Sequence, residues 1–319
     1  MNIKKDDFDK EIKRLSGCAD SCFGYETYKK FSLYFNNEVF TNFYNEMKEK
    51  YPHAFQKYNA GKGGELKEKN TRYGIVPPKM ASIASSSRFI YLAFRDNDLE
   101  KVNPLCSINV EKGVFQFEDE LTINCLNDAK PNLDASYKGE KNGVYFEAKC
   151  HELFDSHQLR WKKKYFEDGV FFGAENKGLG LAKKDCILDA EGVLKEFLVK
   201  DDNGKKQIFY ELKRGIFDLD EKEKMYFDIK QFVCHLLGIA NDGLTERELV
   251  YIYFKPDNLT RFESEYACLE KQFKQVAQSK IISDYCNKHM ISLKLVYSVS
   301  DKMEDPPKFR VVYSKKYSS

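Results

Sequence analysis

The sequence predicts an α/β protein with a mixed central sheet flanked by helices. Three observations carry this. Val114–Leu121 alternates apolar and polar residues as a strand does, and Pro131–Ser136 and Val144–Lys149 read as two more strands joined by a turn. Lys222–Ala240 has the 3.6-residue apolar period of a helix. It leads into Leu249–Phe254, a β-branched and aromatic run closed by Pro256, which reads as a buried strand. A meander followed by strand–helix–strand units calls for both antiparallel and parallel pairings, with helices on the sheet faces.

The remaining elements follow in order. Apolar residues recur with helical spacing at Tyr28, Phe31, Tyr34 and Phe35, and again at Val39, Phe40, Phe43, Tyr44 and Met47. Gly61–Gly64 and Val76–Pro78 break that pattern, and the first is no phosphate loop because no GxxxxGK[ST] follows. Ala81–Phe94 reads as a helix, residues 151–221 as a charged insertion, and Phe262–Met290 as one long amphipathic helix. Ile291–Tyr297 is the last expected strand. The expected organisation is an N-terminal helical region over 1–80, a core over 81–300 interrupted by the 151–221 insertion, and a charged surface extension over 301–319.

Composition narrows the function classes. The 319 residues are 42% hydrophobic and 14% aromatic, enough for a sizeable core. The formal net charge is only +2, so any footprint for nucleic acid must be local. There is no apolar run of membrane-spanning length, and Met1–Lys10 lacks the apolar core of a signal peptide, so a cytoplasmic protein without membrane attachment is expected. The nine cysteines form no CxxC pair and no zinc-ligand spacing, which predicts reduced, packed thiols.

The chemistry-bearing residues lie on the two central strands. Glu147 and Lys149 are two apart and share a strand face, and Asp134 can sit beside them if the strands form a hairpin. Two carboxylates and an ammonium at a strand edge can hold a hard divalent cation and act on water. The alternative is a solvated hairpin face, but Val144, Tyr145 and Phe146 make this strand strongly apolar. Glu118 and Glu120 share one face of the first strand, opposite Phe115, Phe117 and Asp119.

These residues, in this element order, resemble the PD-(D/E)XK phosphodiesterase superfamily, the fold of many restriction endonucleases. The resemblance runs from about Ala81 to Tyr297, with Asp134 at the family's aspartate and Glu147-Ala148-Lys149 at its E-x-K. SSSRFIYLAF, the LDA…FEAKCHE pair and KQFVCHLLGI look more closely like a group of bacterial restriction-type nucleases. The family's proline is displaced: Leu133 directly precedes Asp134, and Pro131 lies three positions earlier.

The resemblance implies a restriction endonuclease-like core and a Mg²⁺-dependent DNA endonuclease, with Mn²⁺ as a substitute. Asp134, Glu147 and the Ala148 carbonyl would hold the metal, with Glu118 as an extra acid and Glu152 as a weaker choice. Lys149 would steady the phosphate or the water, and Gln231 would contact one of them. A structure-selective or repair nuclease on the same core is an alternative, as is a catalytically silent nucleic-acid-binding module. The expected partner is double-stranded DNA, whose cleavage would favour a two-fold homodimer.

Several residues suit the DNA backbone. His157–Tyr165 interleaves basic and aromatic residues, so Arg160, Trp161, Lys162 and Lys163 could contact phosphates and stack on a base, or form a solvated helix face with Trp161 packed inward. Ser86 and Arg88 could meet phosphate from the first core helix, or the serines there could simply cap it. His235 reads as a core histidine on an apolar stripe. His151 and His157 flank the motif without a zinc pairing, and Gly173–Gly180 reads as a lid or a linker.

Overall fold

The computed structural model describes residues 7, 10, 13, 14, 18–24, 34–61, 64–71, 74–96, 105–123, 126, 130–150, 155, 157–166, 170–172, 178–200, 205–255, 262–298 and 309–317. Tyr28, Phe31, Cys125, His151, Glu152, Gly173–Lys177 and 301–308 lie outside them. The N-terminal helices are α1 (Asn37–Lys50) and α2 (Pro52–Ala60). The Asn36 side chain caps α1 by accepting the Val39 N–H at 2.8 Å, and Pro52 opens α2 where no N–H is needed. A short hairpin follows, β1 (Lys69–Thr71) with β2 (Gly74–Val76). Helix α3 (Ser86–Phe94) begins later than the sequence predicts, because Ser85 caps it by accepting the Arg88 N–H at 3.2 Å.

The central sheet has six strands: β3 (Val114–Glu120), β4 (Asn132–Lys138), β5 (Asn142–Lys149), β9 (Glu246–Phe254), β10 (Ile291–Ser298) and β11 (Phe309–Lys315). Their order is β11-β10-β9-β5-β4-β3. The β3–β4, β4–β5 and β10–β11 pairs are antiparallel, whereas β5–β9 and β9–β10 are parallel. The sheet is thus mixed, as the meander and crossovers require. The insertion folds into a separate three-stranded antiparallel sheet of β6 (Arg160–Lys162), β7 (Phe197–Lys200) and β8 (Lys206–Glu211), ordered β6-β8-β7.

Helices cover both faces of the large sheet. On one face Phe94 of α3 meets Phe115 at 5.3 Å and Phe146 at 5.0 Å, and Tyr58 of α2 meets Phe117 at 5.6 Å. Burying each such ring contributes roughly 1.5–3 kcal/mol. The other face is covered by α4 (Ile229–Ile239) and α5 (Glu263–Gln278), whose Phe232 and Phe273 lie 5.7 and 6.1 Å from Tyr251. Helix α6 (Lys280–His289) leads into β10.

Three expectations need correction. The helix expected over 222–240 starts only at Ile229. The buried Gln272 accepts the Tyr226 and Phe227 N–H groups and donates to the Lys224 carbonyl, so this backbone is satisfied without helix. The helix expected over 262–290 breaks at Ser279, whose ψ of 146° is extended. The expected surface extension instead supplies β11, an edge strand of the central sheet. Among the described residues, no helix is long and apolar enough to cross a membrane, and the eight cysteines are free thiols.

Candidate active site

Strands β4 and β5 pair from Lys138↔Gly143 to Ala135↔Phe146 and then part. Beyond that point β5 follows β9, with Glu147 beside Tyr251 and Lys149 beside Tyr253. β4 follows β3, with Leu133 beside Asp119. A fork opens where the sequence places its acids. The Asp134 carboxylate bridges it, accepting the Ala148 backbone N–H at 2.7 Å. That side chain takes the place of the ladder acceptor lost when the strands separate.

Asp134 and Glu147 each lie one position beyond the last pair, Ala135↔Phe146, and so turn to the same face of the sheet. The Glu147 side chain is buried, at 3% exposure. An ionised carboxylate at that depth requires partners. Its Oε1 accepts from Lys149 Nζ at 2.5 Å and from Gln231 Nε2 at 2.8 Å. Its Oε2 is 3.7 Å from His235 Nε2. The Asp228 side chain caps α4 by accepting the Gln231 N–H at 3.0 Å, which fixes the turn from which Gln231 reaches the sheet.

The displaced proline sets the seat of that helix. A Cβ on Gly238 would lie 2.7 Å from Pro131 Cγ and 3.0 Å from Leu121 Cβ. The bare glycine face therefore lets α4 lie against the start of β4.

No protein-family model, no curated protein and no solved structure matches this chain. The site's chemistry therefore rests on its own geometry. Asp134, Glu147, Lys149 and Gln231, all expected from the sequence, meet at the fork.

Glu118 occupies the position on β3 opposite Asp134. Its neighbours pair while it does not, and its φ of 50° is left-handed, a strained conformation for glutamate. Asn132 donates to its Oε2. Burial, with the negative charges of Asp134 and Glu65 behind it, pushes the Glu118 carboxyl up to about 8.

The negative charge of Asp134 and Glu65 that keeps a proton on Glu118 also suits a cation. The available donors are the Asp134 and Glu147 carboxylates and the Ala148 carbonyl, with Glu118 alongside. Among the described residues, no three His, Cys, Asp or Glu side chains gather closely enough to hold a metal by themselves. Any cation here would therefore draw on the backbone and on water as well.

Sequence reasoning missed two contributors. Glu65 is buried, with Oε1 2.7 Å from Lys79 Nζ, and its charge acts on Glu118. It follows a glycine turn, and nothing local marks it. His235 is buried as expected but lies against Glu147, with the Tyr251 hydroxyl 3.3 Å from its Nδ1. Burial, aided by the charge of Lys149, pushes its pKa down to about 3, so the imidazole is neutral at ordinary pH. Its packing stripe hid its polar contact.

The residues expected to contact DNA divide. Trp161 is fully buried, edge-on to Phe171 at 5.2 Å, and forms the core of the insertion rather than a stacking wedge. Arg88 is also buried; its guanidinium lies 4.1 Å from the Phe43 ring centre and 4.5 Å from that of Phe35, and it donates to the Met80 carbonyl, so it locks α3 to α1 instead of meeting phosphate. Arg160 pairs with Glu211 at 2.7 Å and covers Phe197 at 3.9 Å, which ties it to the small sheet. Ser86 is half-buried at the start of α3. Lys162 and Lys163 are exposed. The basic run forms β6 and a 3-10 turn rather than an α-helix.

Proposed function

We propose that the protein is a PD-(D/E)XK-type nuclease, a Mg²⁺-dependent DNA endonuclease of restriction type that accepts Mn²⁺ in place of Mg²⁺. One observation carries this reading: at the strand fork the Asp134 carboxylate reaches across to the Ala148 N–H next to Glu147, with Lys149 on Glu147. The helix, three strands, helix, strand order of α3, β3, β4, β5, α4 and β9 supports it, as does the seating of Gln231 against Glu147.

Asp134, Glu147 and the Ala148 carbonyl would hold the cation. When bound, it supplies charge neutralisation at the phosphate and a lowered pKa for water. The residues of the chain do the rest. Lys149 brings a positive charge beside Glu147, where a phosphodiester oxygen can share it. Gln231 fixes the Glu147 carboxylate in one orientation. His235, neutral and backed by Tyr251, borders the same carboxylate without adding charge. Lys162 and Lys163 lie exposed for the phosphate backbone.

The test is incubation of the purified protein with plasmid and linear DNA in Mg²⁺ and in EDTA, followed by mapping of the product ends. Cleavage in Mg²⁺ alone is expected, with discrete ends for a restriction-type enzyme and cuts at junctions or mismatches for a repair enzyme. Equal cleavage in EDTA, or none under either condition, counts against the proposal.

A further inference from the structure

A cavity of about 200 Å³ lies on the same sheet face as the fork and shares Lys149 and Gln231 with it. Its volume is more than ten times the roughly 10–15 Å³ that a single water needs. That volume is below the roughly 300–1,000 Å³ typical of pockets for drug-sized ligands, and it limits an occupant to about the size of one ring system.

The lining fits such a ring. Tyr226, Phe227 and Leu269 supply apolar surface, and Tyr226 is only half-buried, so its ring is reachable. Asp155 and Asp228 bring carboxylates to the same cavity. Two acids repel a phosphate but accept hydrogen bonds from an exocyclic amine, as carboxylates do from the cytosine amino group. Asp228, whose Oδ1 takes the Gln231 N–H and whose Oδ2 lies 3.6 Å from His157 Nδ1, keeps further lone pairs for one. Lys149 and Gln231 are the positively charged and amide groups on the side nearest Glu147. The cavity is thus organised for an uncharged amino-bearing ring, with the phosphate-binding charge directly beside it.

We propose that this cavity receives one amino-bearing nucleobase turned out of the strand beside the phosphate at Asp134, Glu147 and Lys149. The inference rests on the nuclease reading and names its substrate class more closely: a strand with a base that is unpaired or readily extruded. Enzymes that take a base out of the stack hold it between apolar or aromatic side chains and hydrogen-bond its edge, and the extrusion energy is lowest for mismatched or single-stranded bases.

The experiment uses the full chain and duplexes carrying 2-aminopurine, a fluorescent amino-bearing base, at successive positions around the mapped cut. Emission is read in Ca²⁺ and cleavage of the same duplexes in Mg²⁺. A several-fold rise in emission is expected at one position next to the cut. Tyr226→Ala and the cavity-filling Leu269→Trp should remove it, and Leu269→Met should keep it. Normal cleavage with flat emission at every position overturns the base pocket and leaves the nuclease reading standing. Unchanged emission in both Tyr226→Ala and Leu269→Trp, with folding intact by circular dichroism, places the extruded base elsewhere and also overturns it. Failure to cleave any DNA in Mg²⁺ or Mn²⁺ removes the nuclease reading, and this inference falls with it.

Discussion

The Asp134 carboxylate accepts the Ala148 backbone N–H at 2.7 Å, across the point where β4 and β5 separate. One side chain therefore does two things: it closes a gap in the sheet and sets a carboxylate at the residue next to Glu147. The two roles separate by substitution. Asp134→Asn keeps an acceptor oxygen for Ala148 and should fold with little loss. Asp134→Ala orphans that N–H and should cost about 1–3 kcal/mol. Both should lose cleavage. Urea denaturation at an unchanged slope checks the stability difference.

Two buried groups give opposite pH dependences. Glu118 has its folded pKa raised from 4.5 to about 8, so the folded state holds a proton that the unfolded state has lost. Stability then falls as pH rises between those values. His235 has its folded pKa lowered from 6.5 to about 3, so the unfolded state binds a proton that the folded state refuses. Its contribution to stability falls as pH drops through that window. The windows overlap between 4.5 and 6.5, where the slopes oppose each other. Glu118→Gln should flatten the loss between pH 6.5 and 8, and His235→Gln should flatten it between pH 3 and 4.5. Denaturation in EDTA across pH reads both.

Gly238→Ala should destabilise despite alanine's better helix propensity. The added Cβ would meet Pro131 Cγ at 2.7 Å, and a proline ring has little room to turn away. Overpacking costs about 1–3 kcal/mol, against about 1 kcal/mol gained from propensity. Displacing α4 also moves Gln231 away from Glu147. The melting temperature and the cleavage rate should therefore fall together.

Lys162→Ala and Lys163→Ala should weaken DNA binding uniformly across sequences, each lowering the salt slope by about 1. Trp161→Ala should act through folding, costing about 3–5 kcal/mol from the core of the insertion. Binding titrations at several salt concentrations, set beside melting curves, separate the two effects.

The sheet was legible because its strands alternate or run apolar for long enough to leave one interpretation. The acids and Lys149 were legible because a strand period of two fixes their shared face. What escaped the sequence depends on partners distant along the chain. Gln272 holds residues 224–227 out of helix from 45 to 48 positions away. β11 is a strand because β10 offers it an edge. Trp161 and Arg88 leave two readings open in the sequence, because local charge does not reveal which rings will close over them. Glu118 is the extra acid that the resemblance implies, and the left-handed turn that unpairs it from the ladder carries no signature in its neighbours.

The central claim is that Asp134, Glu147 and Lys149 form one metal-dependent phosphodiesterase centre. The most direct measurement is the single-turnover DNA cleavage rate in Mg²⁺ for the wild type, Glu147→Gln and Lys149→Ala, with folding matched by circular dichroism. Each substitution should slow cleavage by about 100-fold to 1,000-fold or more while DNA binding persists. Cleavage at the wild-type rate in both well-folded variants would contradict the account.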